Sequence, residues 1–180
     1  VRPSGGWADI APSAILTASD AYFDMPRFDR EFGNAVAIDD DTIVVGAYAY
    51  DSENGEAYVY VKAPGGWVTA TETGRLTAAV PILNESLGTS VAISGDVIVV
   101  GAPSLHGDIY GIAGSALIYE KPIGGWTSMT ETAAIGASDG QFGDAFGQSV
   151  AIDGDTIAVG AVARDVGIFD HAGGVYVFEK

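Results

Sequence analysis

The side chains of this chain best suited to proton transfer or metal ligation are two histidines, His106 and His171, and an excess of carboxylates; cysteine is absent. Carboxylates in such numbers could supply a glycosidase-like pair, but their spacing singles out no pair. There is no Gly-x-Ser-x-Gly elbow, no His-Glu-x-x-His helix and no phosphate-cradling glycine loop. No enzyme is therefore expected, and no catalytic residue, cofactor or metal site. The sequence offers instead a set of binding-type residues in its variable stretches: Arg27, Arg30, Tyr48, Tyr50, Asp51, His106, Asp108, Tyr110, Arg164 and His171.

Each has a plainer role beside the binding one. Tyr48, Tyr50 and Tyr110 could stack on a sugar or pack on their own loops. His106 and His171 could bind a metal, yet lone loop histidines are ordinarily solvated. Asp51, Glu53 and Glu56 around Gly55 could hold a cation, and an acidic solubilising loop explains them equally well. Asp139 and Asp144, beside glycines, are expected to serve turns.

The elements that position these residues are repeats. Gly5-Gly6-Trp7 returns as Gly65-Gly66-Trp67 and Gly124-Gly125-Trp126. The stretch Phe32-Gly33 to Ile38 returns at Leu87-Gly88 to Ile93 and Phe146-Gly147 to Ile152, and Val45-Gly46-Ala47 at Val100-Gly101-Ala102 and Val159-Gly160-Ala161. Lys62, Lys121 and Lys180 close the units at a constant step of 59 residues. Within a unit the period is that of strands. Asn34–Asp39 and the continuously apolar Thr42–Ala47 flank a tight acidic turn, Glu56–Lys62 alternates, and Trp67–Leu76 predicts a polar fourth strand. Alanines on the first strand, aliphatics on the second, aromatics on the third and Thr/Glu on the fourth run from a crowded axis to a wet rim. The fold class predicted is all-β, a propeller of four-stranded antiparallel blades, three per chain. Residues 1–180 form a single segment: 1–18 an outer strand, 32–78 blade 1, 87–137 blade 2, and 146–180 blade 3 lacking its outer strand. The repeated tryptophans, each behind a Gly-Gly turn, are expected to plug the start of that strand.

With 24 acidic residues against 8 basic, the net charge of −16 repels phosphate backbones, so no nucleic-acid partner is expected. The apolar runs are too short for a bilayer, so membrane insertion is not expected either.

At these repeats the sequence resembles the FG-GAP repeats of bacterial surface proteins, distant relatives of the integrin alpha-subunit propeller. Phe146-Gly147 with Gly160-Ala161, and Gly101-Ala102-Pro103, carry the pattern, and Trp126 through Ala137-Ser138-Asp139-Gly140 is close to the bacterial subtype. The resemblance covers nearly the whole chain and implies a propeller of seven or a similar number of blades, at the cell surface or otherwise extracellular. Integrin-type repeats often carry a calcium loop between the Phe-Gly and Gly-Ala elements. Here that interval holds only Asp39-Asp40-Asp41 or Asp153-Gly154-Asp155, too few oxygens for the six or more that calcium normally takes. The family's metal site is not carried over.

Propellers hold about four to eight blades, so three imply assembly. The expected partner is the chain itself, a homo-oligomer with Trp7–Leu16 completing a neighbour's blade beside Val175–Lys180, six blades as a dimer or nine as a trimer. An equally compatible origin is a piece of a longer propeller. The short connections repeat on one face of the disc, while the divergent ones share the other, where binding residues ordinarily lie. The function expected is a non-catalytic scaffold or adhesion module binding an extracellular protein or glycan. A multivalent lectin is the alternative and a carboxylate-based glycoside-active enzyme the weaker one.

Overall fold

In the computed structural model, residues 11–20, 31–48, 55–80, 86–104 and 113–180 are described. They contain strands and turns and no helix, so none is long and apolar enough to cross a membrane. Blade 1 comprises β1 (Ala35–Asp39), β2 (Thr42–Ala47), β3 (Glu56–Val61) and β4 (Gly74–Thr77). Blade 2 comprises β5 (Ser90–Ser94), β6 (Val97–Ala102), β7 (Ser115–Glu120) and, after the short β8 (Met129–Thr130), which joins the edge of blade 1's sheet, β9 (Ala133–Ile135). Blade 3 comprises β10 (Phe146–Asp153), β11 (Thr156–Ala161) and β12 (Gly174–Glu179). The result is three antiparallel meanders of propeller type, in the same register: Val45 faces Tyr58, Val100 faces Leu117 and Val159 faces Tyr176. The first turn of each blade needs a left-handed residue. Gly95 and Gly154 supply it at φ 56° and 55°, and Asp40, a residue type that tolerates this region, at 47°.

The fourth strand differs from the sequence expectation. Trp67–Leu76 is not one strand: only its end, β4, pairs with β3, while Ala70 bridges Leu16 in parallel. Blade 2 repeats the device, with β9 on β7 and β8 running parallel to β4 of blade 1. The threonine-rich half has no apolar alternation to hold it in its own sheet. Its backbone finds partners on the preceding outer strand, as Ala70 N–H does on the Ile15 carbonyl at 3.3 Å.

The core lies between blades. Val44, Ala57, Val59 and Leu76 of blade 1 pack against Leu87, Val91, Ile98 and Tyr119 of blade 2, with Trp126 buried among them. Val99 and Ala116 of blade 2 meet Phe146, Ile157 and Val159 of blade 3 in the same way. Residues 16 and 18 cover Tyr58 and Tyr60 on the other side of blade 1.

The repeated glycines explain how closely the blades approach. A Cβ on Gly46 would collide with the Gly88 carbonyl, and one on Gly101 with the Gly147 carbonyl. The Phe/Leu-Gly corner of one blade therefore seats on the bare Gly-Ala backbone of the blade before it, and any side chain there would hold the blades apart.

Candidate functional site

In blades 1 and 3 the described ends of the connection entering the first strand meet those of the connection joining second to third strand. Glu31 N–H donates to the Tyr48 carbonyl at 3.3 Å, and Ala163 N–H to the Asp144 carbonyl at 3.1 Å. Among the described residues, two polar clusters stand at this end.

In blade 3, Asp139 accepts from the Tyr176 hydroxyl and from Arg164 Nη2, both at 2.6 Å, and the guanidinium lies 5.7 Å from the Tyr176 ring centre. Hydrogen bonds from Tyr176 and Arg164 hold the Asp139 carboxyl below its ordinary range; burial pushes the Tyr176 phenol up, and the bond to Asp139 adds to it. Both aspartates stand in turns, as the sequence leads one to expect: Asp144 accepts from Gln141 N–H at 2.8 Å, and Asp139 lies in the turn closed by Gly140 N–H on the Ala137 carbonyl at 3.3 Å. The sequence did not show that the Asp139 side chain also reaches blade 3, where Tyr176 and Arg164 converge on it.

Arg164 anchors the loop from residue 162 to 173. Its tip is a closed turn, with reciprocal bonds between Val166 and Phe169 at 3.0 and 3.1 Å and Gly167 at φ 64°. The turn presents Ile168, 90% exposed, and Phe169, 67% exposed, with Phe142 and Val162 also open to solvent. His171 is exposed at φ 52°, its backbone N–H donating to Asp165 Oδ1 at 2.8 Å.

The second cluster, beside blade 1, escaped sequence reasoning. Arg75 contacts Asp20 at 3.1 Å and Glu72 at 3.0 Å, donates to Ser19 Oγ at 2.9 Å, and covers the Tyr58 ring; Glu56 lies 3.9 Å away. Burial pushes the Glu72 carboxyl up, but bonds from Ser19 and Arg75 outweigh it and hold it below the ordinary range. Burial would lower Arg75; the bond to Glu72 and the Asp20 and Glu56 charges raise it instead. Burial, with Glu72 and Asp20 nearby, also raises the Tyr60 phenol, whose hydroxyl donates to the Thr17 carbonyl.

The signal was available in the repeats. Ser19-Asp20 recurs as Ser138-Asp139, and each aspartate accepts from the same tyrosine position, Tyr58 or Tyr176. Between blades 1 and 2 the matching residues are Val80 and Leu117, and both polar partners are lost together.

Of the residues expected to bind, Tyr48 is half-buried beside Glu31, Arg164 and His171 lie on the blade 3 loop, and Arg164 joins the polar cluster at Asp139. Arg27, Arg30, Tyr50, Asp51, His106, Asp108 and Tyr110 lie outside the described residues. No group of three or more His, Asp or Glu able to hold a metal occurs among the described residues.

Comparison with known proteins agrees with this repeat geometry. The family described as FG-GAP repeat matches three times, at residues 12–60, 70–119 and 129–178. No curated protein matches the chain. Each matched span carries a glycine corner and a Gly-Ala backbone, the pair that forms the inter-blade joints at Gly46–Gly88 and Gly101–Gly147, and the chain belongs to the FG-GAP repeat family.

Proposed function

We propose that this chain is a non-catalytic, extracellular binding module whose blades complete a ring with those of other copies, and that it engages a protein partner through the loop end of blade 3. The carrying observation is the turn at residues 166–169, an apolar tip held shut by its own backbone bonds and by the Arg164–Asp139 pair below it. An isolated exposed side chain is unremarkable, but neighbouring exposed Ile168 and Phe169 on a preorganised turn form an anchor that loses little entropy on binding. The non-catalytic part is supported by the use of Asp139 and Glu72, which are spent on arginine and hydroxyl partners. The location outside the cell rests on the family resemblance.

The test is a panel of purified extracellular proteins beside a glycan array, with wild-type chain and Ile168→Ser/Phe169→Ser. Retention of a protein by the wild type, weakened at least tenfold in the double variant, is expected. Binding to a saccharide class that survives the double variant would replace this reading with the lectin one.

A further inference from the structure

We propose that the open flank of blade 3 receives the open flank of blade 1 from a second copy, residues 7–16 of that copy completing blade 3. This rests on the ring reading above and names its joint.

The two internal joints show what each flank is built to meet. Ala57 and Val59 are wholly buried against blade 2, and their repeats in blade 3, Val175 and Val177, are 70% and 63% exposed. On the other side of the same joint, Val91 is buried and Ile93 packs against the core, while their repeats in blade 1, Val36 and Ile38, are 66% and 63% exposed. The chain therefore carries one exposed half of each kind, and these halves are complementary to each other, not to themselves.

The close-approach contact is also present as two unmated halves. Gly88 and Gly147 each have backbone of the preceding blade where a Cβ would go; Gly33 has nothing within 4 Å. Its natural seat is Gly160, where a Cβ would meet only Ser149 of its own blade, unlike Gly46 and Gly101, which meet the following blade. Ser90 Oγ donates to the Gly147 carbonyl at 2.8 Å across the joint, and Ser149 stands ready to do the same to the Gly33 carbonyl. Asp39 accepts from Gly95 N–H at 2.6 Å, and Asp153 holds that place opposite the turn residue Asp40.

A groove marks where the incoming strand would start. Between blades 2 and 3 a cavity of about 260 Å³ is lined by Ile118, Ile152, Ile157 and Phe178. Their repeats in the preceding joint, Val59, Ile93, Ile98 and Tyr119, pack in the cluster that buries Trp126. The occupant of this groove is thus a tryptophan that opens the outer strand of blade 3, the position Trp7 would bring from the second copy. Transposing the Leu76–Ala57 and Ile135–Ala116 pairs sets Leu16 opposite Val175 and Ile15 opposite Tyr176. Leu16 already sits beside blade 1 as an outer strand of a blade before it, bridging Ala70 as β4 bridges β8. Ala133 stands where the other joint has Gly74. Ala14 shows that alanine fits this position, because Ile15 N–H still reaches Thr69 Oγ1 at 3.2 Å.

The experiment is light scattering on the whole 180-residue chain, alone and as variants. The wild type is expected as one closed mass, two chains giving six blades. Val177→Arg and Ile38→Arg, one on each flank, should each be monomeric with an unchanged β-type circular dichroism spectrum. Mixed together they should form a two-chain species through the one intact joint. Trp7→Ala removes the ring proposed for the groove and should weaken association at least tenfold, which keeps the test decisive if an arginine variant misfolds. A monomeric wild type overturns the proposal, and so does one arginine variant that still self-associates, because like flanks would then be meeting. A monomeric wild type takes the ring reading down with it, whereas an oligomer that survives an arginine variant overturns this joint alone; loss of partner binding by the blade 3 turn changes none of these masses.

Discussion

The joint between blades 1 and 2 and the joint between blades 2 and 3 follow one plan with different completeness. In the first, Trp126 is buried in the cluster that also holds Ile98 and Tyr119, and the backbone after it lies so close to Gly74 that a Cβ there would strike Thr127. In the second, the matching walls enclose a groove instead. The sheets themselves hardly differ, since β11 pairs with β10 and β12 in the register that β6 keeps with β5 and β7. A blade thus acquires its register from its own hairpins and its seal from the strand that follows. The radial packing is shared property of neighbours, as in other repeat arrays.

The largest effect should come from removing the seal where it exists. Trp126→Ala takes a large ring out of the blade 1–2 joint and should cost about 3–5 kcal/mol in urea unfolding. Trp67, half-buried against residues 14 and 16, should cost about half as much. Equal costs for the two would mean that the joints are sealed by something other than this side chain.

A second contrast tests the close approach. Gly101→Ala drives a methyl into the Gly147 carbonyl, which is backbone and cannot rotate aside, so about 2–3 kcal/mol should be lost. Gly160→Ala, measured at concentrations where single chains dominate, meets only the Ser149 side chain and should cost under about 1 kcal/mol. If both were equally harmful, strand propensity would be at work and not the seating of one blade on the next.

These contrasts also show what the sequence could and could not reveal. Glu56–Val61 was legible because alternation is a period that only a strand uses, and Thr42–Ala47 because a six-residue, β-branched apolar run between turns is too short for a buried helix. The division of Trp67–Leu76 was not legible, because threonines in a polar stretch suit any extended backbone, and the choice of partner is made by the neighbouring blade. Arg75 was invisible as a centre for a related reason. Its partners Asp20, Glu56 and Glu72 are scattered along the chain, and only the recurrence of Ser-Asp ahead of each Tyr-bearing blade hinted that they meet. Arg164 could be placed on the variable end, but its attachment to Asp139 depends on two loops whose lengths do not repeat.

The smallest effect separates the two polar clusters. Glu72 accepts from Ser19 N–H at 2.9 Å, Ser19 Oγ at 2.7 Å and Arg75 Nε at 3.0 Å; its side chain is largely covered. Its carboxyl is held below the ordinary range in the folded chain, so its contribution is full above the unfolded value and is lost as pH falls through the folded one. Glu72→Gln keeps the shape but turns an amide toward Arg75, so it should lower the melting temperature at neutral pH, with the gap to wild type closing on acidification. Asp139 is shifted in the same direction, but its side chain is half exposed and water screens it. Asp139→Asn should therefore show the same sign with a smaller gap, shrinking further in high salt, whereas the Glu72→Gln gap should survive salt. Equal salt sensitivity would mean that the coverage around Arg75 does not shield its ion pairs, and that the two loop ends differ in composition without differing in strength.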